Sequence, residues 1–351
     1  LRGGAHTHAY AGGDPMRWAD PDGLLLFAFD GTENSDPPPR RDDWSNVYKL
    51  ARTYADGRVW YVSGVGRPDG AAQVPGGTVD ALLASTARAR VDHLLSELER
   101  HVSAAPDARA WTEIDVIGFS RGAAMARDFA NRIAERVRTG VFTRMQACVR
   151  LRFLGVWDTV AQFGLNGLGN LAWSLAVPAE LAYAAHAVAL NEHRTLFPAE
   201  SILGAAGGGT RVERGFVGAH SDVGGGYAEG DLSDVALTWM HAQARTAGVR
   251  MEALPERFLQ VSNPLLHDSG LMAAGDREVR YRNPSGWTYA NVLQRAAPIP
   301  GLRWRDTAQF ITRFPEPQPD AYGEDTLVGR VDMAGYGRWL AAHYGTVLAG
   351  P

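Results

Sequence analysis

The sequence has a single cysteine, Cys148, among 351 residues, and this scarcity excludes a fold held together by internal disulfides. Two interpretations of Cys148 stay open: a buried, inert thiol in the apolar stretch from Met145 to Leu154, and a catalytic thiol. A strongly positive surface is also lacking, because 39 Asp and Glu residues offset 35 Lys and Arg residues. We therefore expect no nucleic-acid partner.

No uninterrupted apolar run is long enough to cross a bilayer. The most apolar window extends from residue 165 to 190, and it is interrupted by Asn166, Asn170, Pro178, Glu180 and His186. We predict one or two helices packed on a core in this window, and an interfacial lid is the alternative. The sequence also starts without a methionine or a secretory signal pattern, so we expect it to be an interior part of a longer polypeptide.

Strand-like and helix-like patterns alternate along residues 24 to 250. Short apolar runs that stop at turn residues predict strands over residues 24–29, 59–62, 114–117, 149–157 and 212–217. Helical spacing of apolar residues predicts helices over residues 44–54, 79–102, 123–137 and 232–247. This alternation predicts an α/β fold of the α/β-hydrolase type, with a mostly parallel sheet and helices on both faces.

The two ends of the chain differ from this middle part. Residues 1–23 are rich in Gly, His and Asp without periodicity, which is typical of a tail or linker. Residues 24–250 are the predicted catalytic domain. Residues 251–351 are punctuated by Pro and Gly, and we predict a smaller, irregular extension that contributes to the lid or to substrate access.

The pentapeptide Gly118-Phe119-Ser120-Arg121-Gly122 lies between a predicted strand and a predicted helix. This is the context of a nucleophile elbow, in which glycines allow a sharp turn that exposes the serine hydroxyl above the sheet. A chance G-x-S-x-G is the alternative in a chain with 40 glycines, but the flanking strand and helix favour the elbow. We therefore predict that Ser120 is a catalytic nucleophile.

A serine nucleophile requires an imidazole that takes its proton and a carboxylate that orients the imidazole. Asp158 ends the strand that follows the elbow, the position where open α/β sheets carry functional residues, although an Asp there also suits a helix N-cap. His220 follows a later strand and is the predicted base, with His267 as the alternate and His343 third. His186 lies in the predicted helical stretch, where a packing or capping role is expected.

Two backbone segments are candidates for the oxyanion hole. The N–H of Arg121 begins the helix after the nucleophile, where the helix dipole favours negative charge. Gly31 and Thr32, after the first strand, are the candidates for the second donor, and an ordinary turn in which Asp30 bonds its own backbone is the alternative. His220 next to Asp222 also suggests a metal, but the ligand spacing is not diagnostic, so we predict neither metal nor cofactor.

Five blocks occur together in a fixed order: FDGTEN at residues 29–34, GFSRGAA at 118–124, GVWDTV at 155–160, HAVALNEHR at 186–194 and GAHSDVGGGY at 218–227. In these blocks the sequence resembles the type VI secretion phospholipase effectors of the first lipase class, over residues 24 to 247. The resemblance implies Ser120 as nucleophile, Asp158 as acid, His220 as base and phospholipase A activity on bacterial membrane lipid. Asn191 departs from the Asp that is common in the family.

Residues 1–24 carry a second resemblance. The segments LRGG at the start, YAGGDPM at residues 10–16 and DPDGL at residues 20–24 look like the end of an Rhs repeat core, where the core joins a variable C-terminal toxin. The resemblance implies proteolytic release from the Rhs shell protein, export from the bacterial cytoplasm into a target cell without a signal peptide, and a cognate immunity protein.

Three hypotheses of function follow. The first is an antibacterial toxin that hydrolyses membrane phospholipid as a phospholipase A1 or A2. The second is a soluble carboxylesterase or thioesterase that acts on small esters. The third is an inactive hydrolase fold that serves as a binding module, and the presence of Ser, Asp and His candidates speaks against it. The Rhs-like start favours the first over the second.

Overall fold

A computed structural model of the chain describes residues 23–32, 44–65, 79–104, 111–161, 173–192, 197, 199–203, 208–268, 281–282, 304–321, 323 and 325–348. The region that resembles an Rhs core, residues 1–22, lies outside these ranges, as do residues 162–172 of the apolar window. Within the described part of the chain, no helix is long and apolar enough to cross a membrane.

The strands within residues 24–216 are β1 (Leu24–Phe29), β2 (Arg58–Val62), β3 (Trp111–Phe119), β4 (Cys148–Trp157), β5 (Tyr183–Ala189), β6 (Ala199–Glu200) and β7 (Thr210–Phe216). Six of them form the central sheet, all parallel, in the order β2-β1-β3-β4-β5-β7. The two-residue β6 pairs instead with residues 281–282. Because the main sheet is parallel throughout, the carboxyl ends of its strands meet at one edge, where loops collect functional side chains.

Helices cover both faces of the sheet, as predicted. The helices are α1 (Asn46–Ala51), α2 (Val79–Ala104), α3 (Arg121–Arg138), α4 (Val141–Arg144), α5 (His220–Gly224) and α6 (Asp231–Thr246). One apolar core lies between the sheet and the pair α2 and α3, and a second lies between the sheet and the pair α1 and α6. These two layers bury both faces of the central strands, so the strands are apolar runs rather than alternating patterns.

The C-terminal part contains a second, antiparallel sheet of order β10-β11-β8. Its strands are β8 (Leu265–Asp268), β10 (Ile311–Pro319) and β11 (Thr326–Val331), and β9 (Tyr281–Arg282) lies between them in sequence. The helix α7 (Met333–Tyr344) then packs on the second core through Tyr336 and Leu340. Where the sequence pattern predicted irregular chain, the described residues include a sheet and a helix. The periodic signal is weak there because β8 has only four residues and β10 contains three prolines.

Two tyrosines of α7 join this part to the main sheet. Val217 N donates to Tyr336 Oη at 3.1 Å, and Tyr344 Oη donates to the carbonyl of Gly215 at 3.0 Å. Tyr336 is fully buried, and burial raises the pKa of its hydroxyl. The C-terminal helix is therefore attached to the end of the edge strand β7.

The predicted helices in the apolar window are wrong for residues 183–189, because these residues form β5 in the middle of the sheet. The segment is rich in alanine, which favours helices, but seven residues buried on both faces between two parallel strands are more stable as a strand. An interfacial lid is also excluded for this segment. Cys148 is partly exposed at the start of β4, so the interpretation as a buried thiol is wrong.

Candidate active site

Ser120 occupies the turn between β3 and α3 with φ 58° and ψ −128°, a conformation that non-glycine residues rarely adopt. The backbone on both sides is held by the neighbouring strand end. Ser120 N donates to the carbonyl of Trp157 at 3.1 Å, and Val160 N donates to the carbonyl of Ser120 at 3.2 Å. The strained turn is therefore locked to the segment that carries Asp158.

The two glycines of the pentapeptide are required by close packing. A Cβ atom at Gly122 would lie 2.3 Å from the carbonyl oxygens of Phe29 and Asp30, and one at Gly118 would lie 2.6 Å from the carbonyl oxygen of Gly122. Both distances are far shorter than carbon–oxygen contacts allow. The start of α3 can approach the end of β1 only because position 122 has no side chain.

Asp158 and His220 form a buried pair at the carboxyl edge of the sheet. His220 Nδ1 lies 2.7 Å from Asp158 Oδ2, and because a carboxylate only accepts, Nδ1 is the donor. The other carboxylate oxygen, Oδ1, accepts from Ala189 N at 3.0 Å. Asp158 is fully buried and His220 is 4 % exposed. The backbone of β5 and the imidazole together hold the carboxylate in one orientation.

The imidazole of His220 packs against the residue that precedes the nucleophile. Its ring centroid lies 4.6 Å from that of Phe119 and 5.0 Å from that of Phe197, which meets it edge-on. Gly224 makes room for the Phe119 ring, since a Cβ there would lie 1.9 Å from it. The aromatic contacts place the base beside the elbow and exclude water from one side of it.

His220 Nε2 is buried and has no hydrogen-bond partner among the described residues. With the proton on Nδ1, this nitrogen carries the lone pair that a general base needs. No hydrogen bond joins it to Ser120 Oγ in this structure, as is common in substrate-free sites. Ser120 itself is 3 % exposed. The arrangement has the elements of a nucleophile, an oriented base and a buried acid.

Of the three histidines predicted as candidates for the base, His220 is the one that meets Asp158. His267 lies on β8, where its Nδ1 bonds Asp222 Oδ1 at 2.6 Å. His343 is exposed near the end of α7, and its Nδ1 donates to the carbonyl of Trp339. Among these three candidates, the chain topology places only His220 against Asp158.

The two segments expected to form the oxyanion hole are linked directly. Arg121 is the first residue of α3, and its Nη1 donates to Thr32 Oγ1 at 2.8 Å. Gly31 N donates to Asp30 Oδ1 at 2.6 Å, which is the hydrogen bond that the turn alternative predicted. Asp30 also accepts from Ser45 Oγ at 2.6 Å and from the Tyr61 hydroxyl. The backbone N–H of Gly31 can therefore donate to an oxyanion only when its hydrogen bond to Asp30 is broken.

A second buried pair, His186 and Glu213, supports the turn at Asp158 and was missed by the sequence reasoning. His186 Nδ1 donates to Glu213 Oε2 at 2.8 Å, and its Nε2 accepts from Thr159 N at 3.1 Å. Burial raises the pKa of the Glu213 carboxyl, but the interactions with His186, the Ile202 N–H and the Ser201 hydroxyl together outweigh burial and lower this pKa. The pair fixes the backbone of Thr159, the residue after Asp158. Asp158 itself has an unusual φ of 35°. The feature of the sequence that could have revealed this pair is the short apolar run around His186.

The sequence matches the family described as T6SS, phospholipase effector Tle1-like, catalytic domain, over residues 24–147 and 135–243. These overlapping segments include Ser120, Asp158 and His220, and together they cover more than half of the chain. The chain belongs to the Tle1-like family of type VI secretion phospholipase effectors.

Two solved structures are similar to this chain. A structure described as the Tle1 effector bound to the VgrG spike from the type 6 secretion system has 17 % identity and a TM-score of 0.50, and the match covers 93 % of this chain and 91 % of that one. An uncharacterized protein from Pseudomonas aeruginosa has 24 % identity and a TM-score of 0.49, over 65 % of this chain. This chain spans 46 % of the length of that protein. No curated protein matches the chain.

Membership in the Tle1-like family confirms the resemblance noted in the sequence. The α/β fold with a parallel sheet is confirmed as well, because the neighbour bound to VgrG shares it across nearly the whole chain. Asn191, where the resemblance led us to expect Asp, donates from Nδ2 to Thr307 Oγ1 at 3.1 Å and accepts at Oδ1 from Gly218 N at 2.9 Å. An aspartate at this position could accept the hydrogen bond from Gly218 N and one from the Thr307 hydroxyl. The asparagine therefore makes the same two contacts as the expected aspartate could.

Proposed function

We propose that the chain is a phospholipase A that hydrolyses carboxylic ester bonds of membrane phospholipids through an acyl-enzyme. The observation that carries the proposal is the buried Asp158–His220 pair, whose unpartnered Nε2 lies beside the residue that precedes Ser120. Membership in a family of phospholipase effectors supports the choice of substrate.

In the proposed reaction, His220 Nε2 takes the proton from Ser120 Oγ while Oγ attacks the ester carbonyl. Asp158 keeps the Nδ1 proton in place and stabilises the imidazolium that forms. The Arg121 amide and one donor from the segment of Gly31 and Thr32 stabilise the tetrahedral oxyanion. His220 then protonates the leaving alcohol, and a water activated by the same nitrogen releases the fatty acid.

The family also suggests how the protein is delivered and which partners it has. We propose that the chain acts as an antibacterial effector that a type VI secretion system carries into a target cell, as suggested by a fold neighbour bound to a VgrG spike. An Rhs core fused before residue 24 and a cognate immunity protein remain part of this proposal. Isolation of the native polypeptide and its mass would test the fusion.

The decisive experiment offers the purified chain two substrates: vesicles of phosphatidylethanolamine and phosphatidylglycerol, and a short soluble ester. Mass spectrometry of released fatty acid and lysolipid from vesicles with different sn-1 and sn-2 chains identifies the bond that is cut. We expect lysolipid from the unmodified chain and none from Ser120→Ala. Hydrolysis of only the soluble ester would favour the esterase hypothesis, and no turnover of either substrate would favour the inactive binding module.

A further inference from the structure

A second cluster of ligand-type side chains lies outside the catalytic site. Glu229 precedes α6, His267 lies on β8, and Asp320 follows β10. One ligand atom from each of these three residues lies within 4.8 Å of the others. Strand pairing explains why His267 and Asp320 lie close together. The strands β8 and β10 flank β11, and their carboxyl ends lie at the same end of the small sheet.

Two atoms of this cluster, one on His267 and one on Glu229, are buried without a hydrogen-bond partner among the described residues. His267 is 1 % exposed, and its Nε2 is buried and unpartnered, as is Glu229 Oε2. Leaving two such atoms buried and unpaired costs free energy, so a native protein normally supplies a partner. Nε2 and Oε2 are 3.5 Å apart, which is too long for a good hydrogen bond.

That separation suits two ligands of one metal ion. Donors placed about 2.1 Å from a tetrahedral Zn²⁺ lie about 3.4 Å from each other. The donor set of one imidazole and two carboxylates also suits Zn²⁺ better than Ca²⁺ or Mg²⁺, which prefer oxygen alone.

The rest of the His267 ring has the support that metal-bound histidines receive. Its Nδ1 bonds Asp222 Oδ1 at 2.6 Å, an arrangement that fixes the tautomer and directs the Nε2 lone pair into the cluster. Asp222 Oδ2 in turn accepts from Ala219 N and His267 N, both at 3.0 Å. The ring of Tyr227 stacks on the imidazole at 3.8 Å and limits its rotation.

We propose that Glu229, His267 and Asp320 bind a divalent cation of the Zn²⁺ class, with Asp222 as the carboxylate that orients His267. The proposal does not depend on the phospholipase activity. The cation connects three segments: the loop before α6, β8 and the turn after β10. Through Asp222, which lies on α5 two residues after His220, it also braces the short helix that carries the base. Its role is structural.

The competing explanation is a proton in place of the metal. A doubly protonated His267 would pair with Asp222 and approach Glu229, and no cation would then bind. Direct metal binding separates the two, because only the proposed site predicts a stoichiometric cation that depends on both Glu229 and Asp320.

The test is titration of the full chain, stripped with a chelator, with ZnCl₂ at pH 7, followed by calorimetry and by elemental analysis after dialysis. We expect one Zn²⁺ per chain and a higher melting temperature with the ion. Glu229→Gln and Asp320→Asn should each weaken binding by at least about tenfold. Both are mild, nearly isosteric changes, so the site can be tested without removing His267. Glu256→Gln, an exposed position, is the matched control and should bind as the unmodified chain does.

Three results would overturn the proposal. The first is substoichiometric Zn²⁺ in the unmodified chain. The second is equal binding by both site variants and the control, which would mean adventitious surface binding. The third is binding of Ca²⁺ or Mg²⁺ more tightly than Zn²⁺, which would exclude the assigned class. Circular dichroism of each variant confirms that the comparison is between folded chains.

Discussion

Replacing Asp158 by asparagine tests the catalytic arrangement most directly. In the folded chain, Ala189 N donates to Oδ1 of this side chain, and the other oxygen accepts from His220. Asparagine keeps the bond from Ala189 only if its carbonyl oxygen stays at the Oδ1 position. Its NH₂ group must then face His220 Nδ1.

This orientation reverses the tautomer of His220. Facing a donor, Nδ1 must accept, so the ring proton moves to Nε2, which can no longer take the proton of Ser120. We expect kcat to fall by about 10⁴-fold, the loss that the wrong tautomer causes in Ser-His-Asp enzymes. That factor corresponds to about 5.4 kcal/mol of activation free energy. The free energy of unfolding should fall by only about 1–3 kcal/mol, because the backbone bond is retained.

The assay is the initial rate of ester hydrolysis under saturating substrate, with the melting temperature measured in parallel. Asp332→Asn is the matched control: Asp332 is an exposed N-cap of α7, and asparagine caps a helix equally well. It should leave both values unchanged. A folded Asp158→Asn chain that keeps kcat within tenfold of the unmodified value would refute the assignment of Asp158 as the orienting acid.

Three further predictions concern the elbow and its supports. Ser120→Ala and His220→Ala should each abolish nearly all hydrolysis, and the double variant should be scarcely slower than either, since these groups act as a unit; additive losses in steady-state rates would contradict this. Gly122→Ala should lower the melting temperature and the activity together, because its Cβ would lie 2.3 Å from the carbonyl oxygen of Asp30; an unchanged thermal unfolding curve would show that α3 can shift. Glu213→Gln should be less stable than the unmodified chain above pH 4.5, the ordinary pKa of Glu. Because the pKa of Glu213 in the folded chain is lower than this value, the difference in stability should vanish when the pH falls through that lower pKa. A difference in unfolding free energy that does not change with pH would argue against an ionised Glu213.

The elbow could be predicted from the sequence because its geometry is local. A strand, a five-residue turn and a helix follow one another, and the need for small residues at positions 118 and 122 arises within that unit or against the adjacent strand end. Asp158 was also predictable, because the carboxyl ends of parallel strands meet at one edge of the sheet. The alternation of strands and helices along residues 24 to 250 likewise follows from hydrophobic pattern alone.

The helices wrongly predicted around His186 show where the hydrophobic pattern is not sufficient to predict secondary structure. Alanine-rich apolar segments of this length suit a helix or a buried strand equally well, and only the neighbours decide. Here β4 and β7 flank the segment and pair with its backbone, so it becomes a strand. The same placement makes His186 a support for the turn of Asp158, a role that sequence spacing does not reveal.

The sequence by itself determined the parallel α/β architecture, the turn that carries Ser120 and the place of Asp158 at the end of a strand, because short-range pattern and strand polarity are sufficient for these. Only the tertiary structure decided which of ten histidines contacts Asp158, since His220 and Asp158 are separated by 62 residues and meet through the order of the strands. It also decided that His267, the alternate base, pairs with Asp222 and faces Glu229 and Asp320. Contacts between distant segments depend on how the sheets assemble, and the local sequence pattern does not encode that assembly.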